Sequence, residues 1–336
     1  MSTDGDGSIK VVPVRHVGRW VGVAAALVVV AMIVHTLLSR LPTGQKTCRG
    51  VGASRVCHAV TEWRFSWDIV FRYFTTSEIL HGLLVTLELT AIAMAVGIVL
   101  GMILAVMRLS PNRVLSGSAW TYTWFFRGTP VLVQLLVWFN IAILYPRISL
   151  GIPFTAVAFL TVHTNTVFTP LEAACVALGL NEAAYMSEIA RAGLLSVDEG
   201  QVEAATSIGM VRRQTLRYVV MPQAMRVIIP PTGNEVISML KTSSLASVIG
   251  VIELLGAATN IYSANYEIMP LLLTASLWYL VVTTVLSIGQ FYLERHFGRG
   301  ALRTPPPTPL QRMRRDLAGI VAKFPNRRGL AGAVER

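Results

Sequence analysis

The sequence predicts an all-α integral membrane protein, a polytopic bundle of about six transmembrane helices. Of its 336 residues, 53% are hydrophobic and only 14% are charged, whereas soluble domains carry roughly a quarter charged residues. The apolar residues are gathered into long runs, several of them close to the length that crosses a bilayer as a helix. The net charge of +11 is typical of the cytoplasmic loops and tails of membrane proteins. We therefore predict no nucleic-acid partner.

The predicted spans follow from the apolar runs and the polar residues between them. The first, 20–38, is uncharged and follows a basic segment, 1–19, that we place in the cytoplasm. A signal peptide is the competing interpretation, but no small-residue cleavage pattern follows cleanly. The other predicted spans are 82–107, 119–145, 171–194, 227–257 and 269–293.

The sides of the membrane follow from the number of spans and the positions of basic residues. Segments 39–77 and 146–169 are predicted external loops, although the second is nearly long enough to span and would then invert everything downstream. Six spans place both termini on one side, and the basic, proline-rich tail 296–336 makes that side the cytoplasm. One observation disagrees, because the loop 39–77 carries six basic residues; longer loops obey the positive-inside rule less strictly.

Two cysteines, Cys48 and Cys57, lie close together in the first external loop. On the outside of a cell they could form a disulfide that closes a small loop, and two unpaired thiols are the alternative. Their spacing matches no metal site. The sequence leaves the choice between a disulfide and free thiols open.

Catalytic motifs are absent from the sequence. It contains no GxxxxGK[ST] phosphate loop, no HExxH, no CxxC and no GxSxG. We therefore predict no catalytic residue, no metal site and no cofactor bound by this chain. Transport or a structural membrane role remains.

Polar residues at membrane depth separate these two roles, because such groups are costly there and commonly face a bundle interior or a water-filled path. Two predicted helices each carry polar residues at i, i+4 and i+7, and another helix carries a lone carboxylate. These candidates are Asn181, Tyr185 and Glu188; Asn234, Ser238 and Lys241; and Glu88. A hydrogen-bonded and ion-paired network that only holds helices together, with Arg191 neutralising Glu188, is the alternative. Two polar faces in one bundle favour a polar pathway.

The fifth predicted span is interrupted twice, by prolines and a glycine at 230–233 and by the polar KTSS at 241–244. Transporters often break helices where unwound backbone lines a substrate site. The alternative is a proline kink whose freed backbone groups are satisfied by neighbouring helices.

The segment 203–224, EAATSIGMVRRQTLRYVVMPQA, places a glycine four residues after EAA and a proline and an alanine later. This pattern resembles the EAA loop of ATP-binding-cassette (ABC) importer permeases. Three further stretches resemble the polar amino-acid branch of that family, which serves histidine, glutamate, glutamine, arginine and opines. They are FRGTPVLVQ, LNEAAYMSEIARAGLLSVDEGQ and LKTSSLASVIGVIELL. The resemblance covers about residues 78–295 and implies a five-helix core preceded here by one extra N-terminal helix.

The resemblance implies that a cytoplasmic EAA loop at about 196–226 docks on a separate ATPase. Ala204 and Ala205 would allow close approach, Glu203 would offer a charged contact, Gly209 would permit a turn, and Pro222 would end the segment before the next span. An ordinary amphipathic surface helix is the alternative.

The implied assembly is an importer in a bacterial cell membrane. Its other parts would be an ATPase that uses ATP and Mg, a second permease subunit, an extracytoplasmic solute-binding protein, a polar amino-acid substrate and the lipid bilayer. An ion-gradient-driven secondary amino-acid transporter is the rival, although no inverted repeat is visible. A non-transporting scaffold or sensor is the third hypothesis. The sequence names neither the amino acid nor the second permease.

Overall fold

The computed structural model describes residues 17–49, 56–63, 65–151 and 158–297. It is mostly helical. The predicted cytoplasmic ends are 1–19 and 296–336, and most of each, 1–16 and 298–336, lies outside the described residues. The helices are α1 Val17–Leu38, α2 Trp67–Phe74, α3 Ser77–Arg108, α4 Arg113–Gly128, α5 Val131–Phe139, α6 Ile141–Leu144, α7 Thr164–Val167, α8 Pro170–Leu195, α9 Glu199–Ser207, α10 Arg212–Thr215, α11 Met221–Thr242, α12 Leu254–Asn265 and α13 Ile268–Phe297.

Two antiparallel hairpins correct the expectation of a purely helical chain. The first pairs β1 Arg40–Arg49 with β2 Val56–Trp63, and the second pairs β3 Arg147–Gly151 with β4 Ala158–His163. Both occupy predicted external loops, which are long enough to fold back on themselves and satisfy their own backbone hydrogen bonds. The first hairpin places Cys48 directly opposite Cys57 in the backbone register. The disulfide stays a prediction.

The chain divides into two compact units, 1–79 with 258–275 and 80–257 with 276–336. In the described part of the first unit, Phe65 and Trp67 meet edge to face with ring centroids 4.9 Å apart. The amide of Asn265 donates to the Tyr73 hydroxyl at 3.5 Å. The exposed apolar side chains of α1 surround the whole helix between Val21 and Thr36, as expected of a helix in contact with lipid.

The core of the second unit is built around α8, which packs against α4, α5 and α11. Small residues line α8, and eight of them are fully or nearly fully buried: Ala173, Ala174, Ala177, Gly179, Ala183, Ala184, Ala190 and Gly193. Small residues let membrane helices approach closely. The approach of α3 to α8 needs glycine, because a β-carbon added at Gly101 would lie 2.5 Å from the Met186 Cβ.

Three stretches of the described chain are suited to crossing a bilayer. The helices α3 and α13 are each long and apolar enough by themselves. The helical stretch Arg212–Ile249, which contains α11, forms the third together with α12, and the two are bent by 45° at the break between them. The helix is not broken at 230–233, where it was expected to be: α11 runs through Pro230 and Pro231. The break follows a 3₁₀ turn, Ser243–Ile249, and comes at Gly250 with φ of +90°, close to the predicted KTSS interruption.

Candidate functional site

The predicted coupling residues lie on α9 and on the turn that follows it. Asp198 begins the helix, because its Oδ1 accepts a hydrogen bond from the Gly200 amide at 2.7 Å and caps an otherwise unpaired N–H group. Glu203 and Ala204 are exposed, whereas Ala205 is buried. The EAA triplet therefore presents its first two residues outward and uses the third to pack the helix.

Gly209 terminates α9 with a reversal of the chain. Its φ of +83° lies in the left-handed region, which L-residues with a side chain adopt at a cost. The amide of Met210 donates to the Ala205 carbonyl at 3.1 Å, which closes the helix end in the manner of a glycine C-cap. The turn leaves Ile208 and Val211 79% and 61% exposed. The predicted coupling segment, about 196–226, thus carries an accessible apolar tip beside a carboxylate.

Pro222 does not end this segment, which corrects the expected role of that residue. It lies at the start of α11, directly after a π-helical turn, Leu216–Val220, whose Leu216 carbonyl accepts from the Met221 amide. A proline in a helix lacks an N–H group and clashes with the carbonyl four residues earlier. The wider π turn has already left the α-helical pattern there, so the helix accommodates the proline and continues.

The predicted face of α8 is a helix-packing network at one end and an ion cluster at the other. Asn181 is buried, and its Nδ2 donates to the Phe126 carbonyl at 3.0 Å and to Gln134 Oε1 at 3.1 Å. The Gln134 amide in turn donates to the Phe126 carbonyl at 2.9 Å. Asn181 therefore joins α4, α5 and α8, as the network alternative for this residue expects.

Glu188 is shared between two arginines. Its Oε2 accepts from Arg191 Nη2 at 2.7 Å, and its Oε1 accepts from Arg108 Nη2 at 3.4 Å. The expected neutralisation by Arg191 is confirmed, and Arg108 was not foreseen. The Arg127 guanidinium lies 5.3 Å from the centre of the Tyr185 ring, and its charge acts on the carboxylates of Glu188 and Glu235.

The predicted face of α11 is accessible. Asn234, Ser238 and Lys241 are all exposed, and the Asn234 Oδ1 accepts from Gln290 Nε2 on α13 at 3.1 Å. No hydrogen bond or ion pair joins these three residues to the α8 face within the described ranges. Glu88, the lone carboxylate of the predicted span 82–107, is exposed as well.

Glu253 is a buried carboxylate that the sequence reasoning did not single out. It is fully buried and accepts hydrogen bonds from Leu255 N at 2.9 Å, Gly256 N at 2.8 Å and the Tyr279 hydroxyl at 3.0 Å. Thr86 Oγ1 accepts from Leu254 N at 3.0 Å. These groups satisfy the N-terminus of α12. The available signal was a single glutamate between the Gly250 break and a new helix.

Glu182 is the second buried carboxylate that was passed over, at 3% exposure. Its Oε1 has no hydrogen-bond partner among the described residues. It lies against Gly97 of α3, where an added β-carbon would come 2.4 Å from the Glu182 Cγ.

Comparison with known proteins places most of these residues in one matched region. A family model described as "Binding-protein-dependent transport system inner membrane component" matches residues 97–299. The arginine transport system permease protein ArgU of Corynebacterium glutamicum is 43% identical over 297 residues, which cover 88% of this chain and 85% of that protein. The L-cystine transport system permease protein TcyB of Bacillus subtilis is 38% identical over 234 residues, covering 69% and 92%.

Two solved structures share the fold. The crystal structure of an amino acid ABC transporter with histidines superposes with a TM-score of 0.58 at 35% identity, over 69% of this chain and 98% of that one. The inward-facing MetNI methionine ABC transporter gives a TM-score of 0.52 at 18% identity, over 66% and 97%, a likeness of fold alone. The coupling segment and both polar faces fall inside the matched region, and Glu88 precedes it.

Proposed function

The chain belongs to the family of binding-protein-dependent transport system inner membrane components, and we propose that it is the membrane-spanning subunit of an ATP-driven importer of polar amino acids. It is a transporter subunit and not an enzyme. Relatives named as arginine, cystine and octopine permeases support an amino acid or opine as the substrate. Arginine is the first substrate to test, since a relative whose match covers 88% of this chain is named as an arginine permease.

The coupling segment carries this proposal. An importer permease without a phosphate loop must receive mechanical work from a separate ATPase. The exposed Glu203 and Ala204, the left-handed Gly209 and the accessible Ile208 form a compact projection. A small, preorganised surface of this kind can enter a groove at little entropic cost. We assign ATP and Mg binding to that partner.

The assembly and topology extend the same proposal. Six spans, both termini in the cytoplasm and a bacterial cell membrane fit the placement of the coupling segment, with 20–38 as an additional N-terminal helix. The chain pairs with a second permease subunit, identical or similar. A solute-binding protein delivers the amino acid from outside, and the loop 146–169 is its candidate contact. Asn234, Ser238 and Lys241 on α11 offer exposed polar groups to the passing substrate.

Co-purification tests this function. The tagged chain is extracted from its host in a mild detergent, and the accompanying proteins are identified by mass spectrometry. We expect a P-loop ATPase with the parent chain and its loss in the double variant Glu203→Lys, Gly209→Trp, because the variant reverses a contact charge and blocks the turn. Retention of both the ATPase and amino-acid uptake in that variant would contradict the coupling role. Uptake that survives ATP depletion while an ion gradient is kept would instead indicate the secondary transporter.

A further inference from the structure

A cavity of about 310 Å³ opens between α3, α4 and α8. Ligand pockets in proteins begin at about this volume, so it can hold one end of an amino-acid-sized molecule. Its charged and aromatic lining consists of Arg108, Trp120, Trp124, Arg127 and Glu188.

We propose that this cavity binds the zwitterionic end of the amino acid in transit, with Arg108 and Arg127 receiving its carboxylate and the tryptophan pair with Glu188 receiving its ammonium. The inference rests on the proposed function and adds to it a site away from the exposed α11 face. Arg108 and Arg127 are binding residues in this account.

Arg108 has hydrogen-bond donors left over for a carboxylate. This side chain has five N–H donors, and its ion pair with Glu188 is long at 3.4 Å. Its Nε is buried and finds no acceptor within the described part of the chain. Guanidinium groups bind carboxylates through two parallel hydrogen bonds. Arg108 is therefore a charged donor that lacks the acceptor its geometry calls for.

Arg127 supplies the second cation and is held in place. Its guanidinium lies over the Tyr185 ring at 5.3 Å, a contact that orients the group and leaves its N–H donors available. The lining carries two guanidiniums and one carboxylate, an excess of one positive charge. That carboxylate, Glu188, is also bound by Arg191 at 2.7 Å. This local excess attracts an incoming carboxylate, while the ammonium of the same ligand lies against the aromatic wall.

The aromatic half of the cavity suits a cation. Trp120 and Trp124 are stacked, with centroids 6.2 Å apart and an interplanar angle of 10°. They remain 52% and 64% exposed, so ring surface is accessible from the cavity. Tryptophan is the strongest ring partner for an ammonium group, and Glu188 lies in the same lining. An α-amino acid carries both of the charges that these walls accept.

The depth of the cavity gives it a place in the transport cycle. Arg108 is the last residue of α3, and Glu188 lies about two turns before the end of α8, which leads into the coupling segment. The cavity therefore lies at the end of the bundle nearest the coupling segment, where an importer releases its substrate.

The test measures binding to the purified permease–ATPase complex in nanodiscs, without the solute-binding protein. Arginine and agmatine, which is arginine without the carboxylate, are titrated by calorimetry. We expect the parent to bind arginine at least about 10-fold more tightly than agmatine, because agmatine lacks the carboxylate that forms the charge-assisted pair. Arg127→Met should weaken the binding of arginine by about 10-fold or more and the binding of agmatine by less than about 2-fold. Trp124→Leu should weaken both ligands, and Arg113→Met, an exposed arginine outside the lining, should change neither.

The ratio of the affinities for arginine and agmatine separates a direct binding role from a structural effect of the substitution. Equal weakening of arginine and agmatine by Arg127→Met, or no preference for arginine in the parent, would overturn the cavity assignment. Unchanged arginine binding with loss of retained phosphatidylglycerol in native mass spectrometry would show a lipid-phosphate site instead. ATP-driven arginine uptake by the parent in proteoliposomes, with its solute-binding protein, tests the proposed function separately. If the parent transports arginine but Arg127→Met does not weaken arginine binding more than agmatine binding, the cavity assignment is rejected and the proposed function stands.

Discussion

Replacing Glu253 tests whether its carboxylate holds the start of α12. In Glu253→Ala, three donors lose the carboxylate as an acceptor: the buried Gly256 N and the part-buried Leu255 N and Tyr279 hydroxyl. A buried donor left unsatisfied costs about 1–3 kcal/mol, which sums to about 3–9 kcal/mol. Because the helix end relaxes, we take the lower end, about 3 kcal/mol. Glu253→Gln keeps the volume and one acceptor oxygen, so its loss should be smaller.

Thermal unfolding of the purified protein in detergent measures this effect. A loss of about 3 kcal/mol corresponds to a fall in Tm of about 4 °C for a chain of this size, because the entropy of unfolding grows with chain length. The matched control is Glu88→Ala, an exposed glutamate on α3, which should stay within about 0.5 kcal/mol of the parent. If Glu253→Ala unfolds within 2 °C of that control, the carboxylate does not hold the helix end and the capping argument fails.

Three further predictions concern backbone geometry, packing and redox state. Gly209→Ala should cost about 1 kcal/mol and reduce the yield of co-purified ATPase, while Gly209→Asn should keep more of it, since asparagine tolerates a positive φ; equal yields would contradict this. Gly101→Ala should lower the Tm by overpacking α3 on α8, at about 1–3 kcal/mol; Gly117→Ala, with nothing within 4 Å of the added carbon, should not, and equal shifts would exclude the packing argument. If Cys48 and Cys57 are bonded, the parent should migrate more slowly on a gel after reduction than before it, whereas the migration of Cys48→Ser should not change. Identical mobility of the parent before and after reduction would reject the disulfide.

The local conformation of the predicted coupling residues could be read from the sequence, because it depends on near neighbours in the chain. Glu203, Ala204, Ala205 and Gly209 lie within one short helix and its terminating turn, so spacing alone places them on one projection. The ion pair of Glu188 with Arg191 is likewise three residues apart. Interactions confined to one or two helical turns follow from helical periodicity.

The features that were missed depend on distant parts of the chain. Glu253 meets Thr86 from 167 residues away, and Arg108 meets Glu188 from 80 residues away, so neither pairing is visible as a spacing. The hairpins lie in polar loops whose pairing register no helical periodicity reveals. Pro222 was read as a terminator because an α-helix rejects an interior proline; the π turn that admits it has no single-residue signature.

The continuity of the helix through Pro222 connects the coupling segment with the α11 face, the two regions on which the proposed function depends. The chain leaves the Gly209 turn and runs as one helical rod from Arg212 to Ile249, so no flexible loop separates the coupling segment from the α11 face. A helix rises about 1.5 Å per residue, which places Asn234 and Lys241 about 33–44 Å along the rod from its start. Had Pro222 ended the segment, a push on α9 would be absorbed in a loop. With the proline inside the rod, a displacement of its base by the proposed ATPase partner would tilt or shift Asn234, Ser238 and Lys241 directly. The first place able to absorb that motion is the break at Gly250, and Glu253 anchors the chain just beyond it.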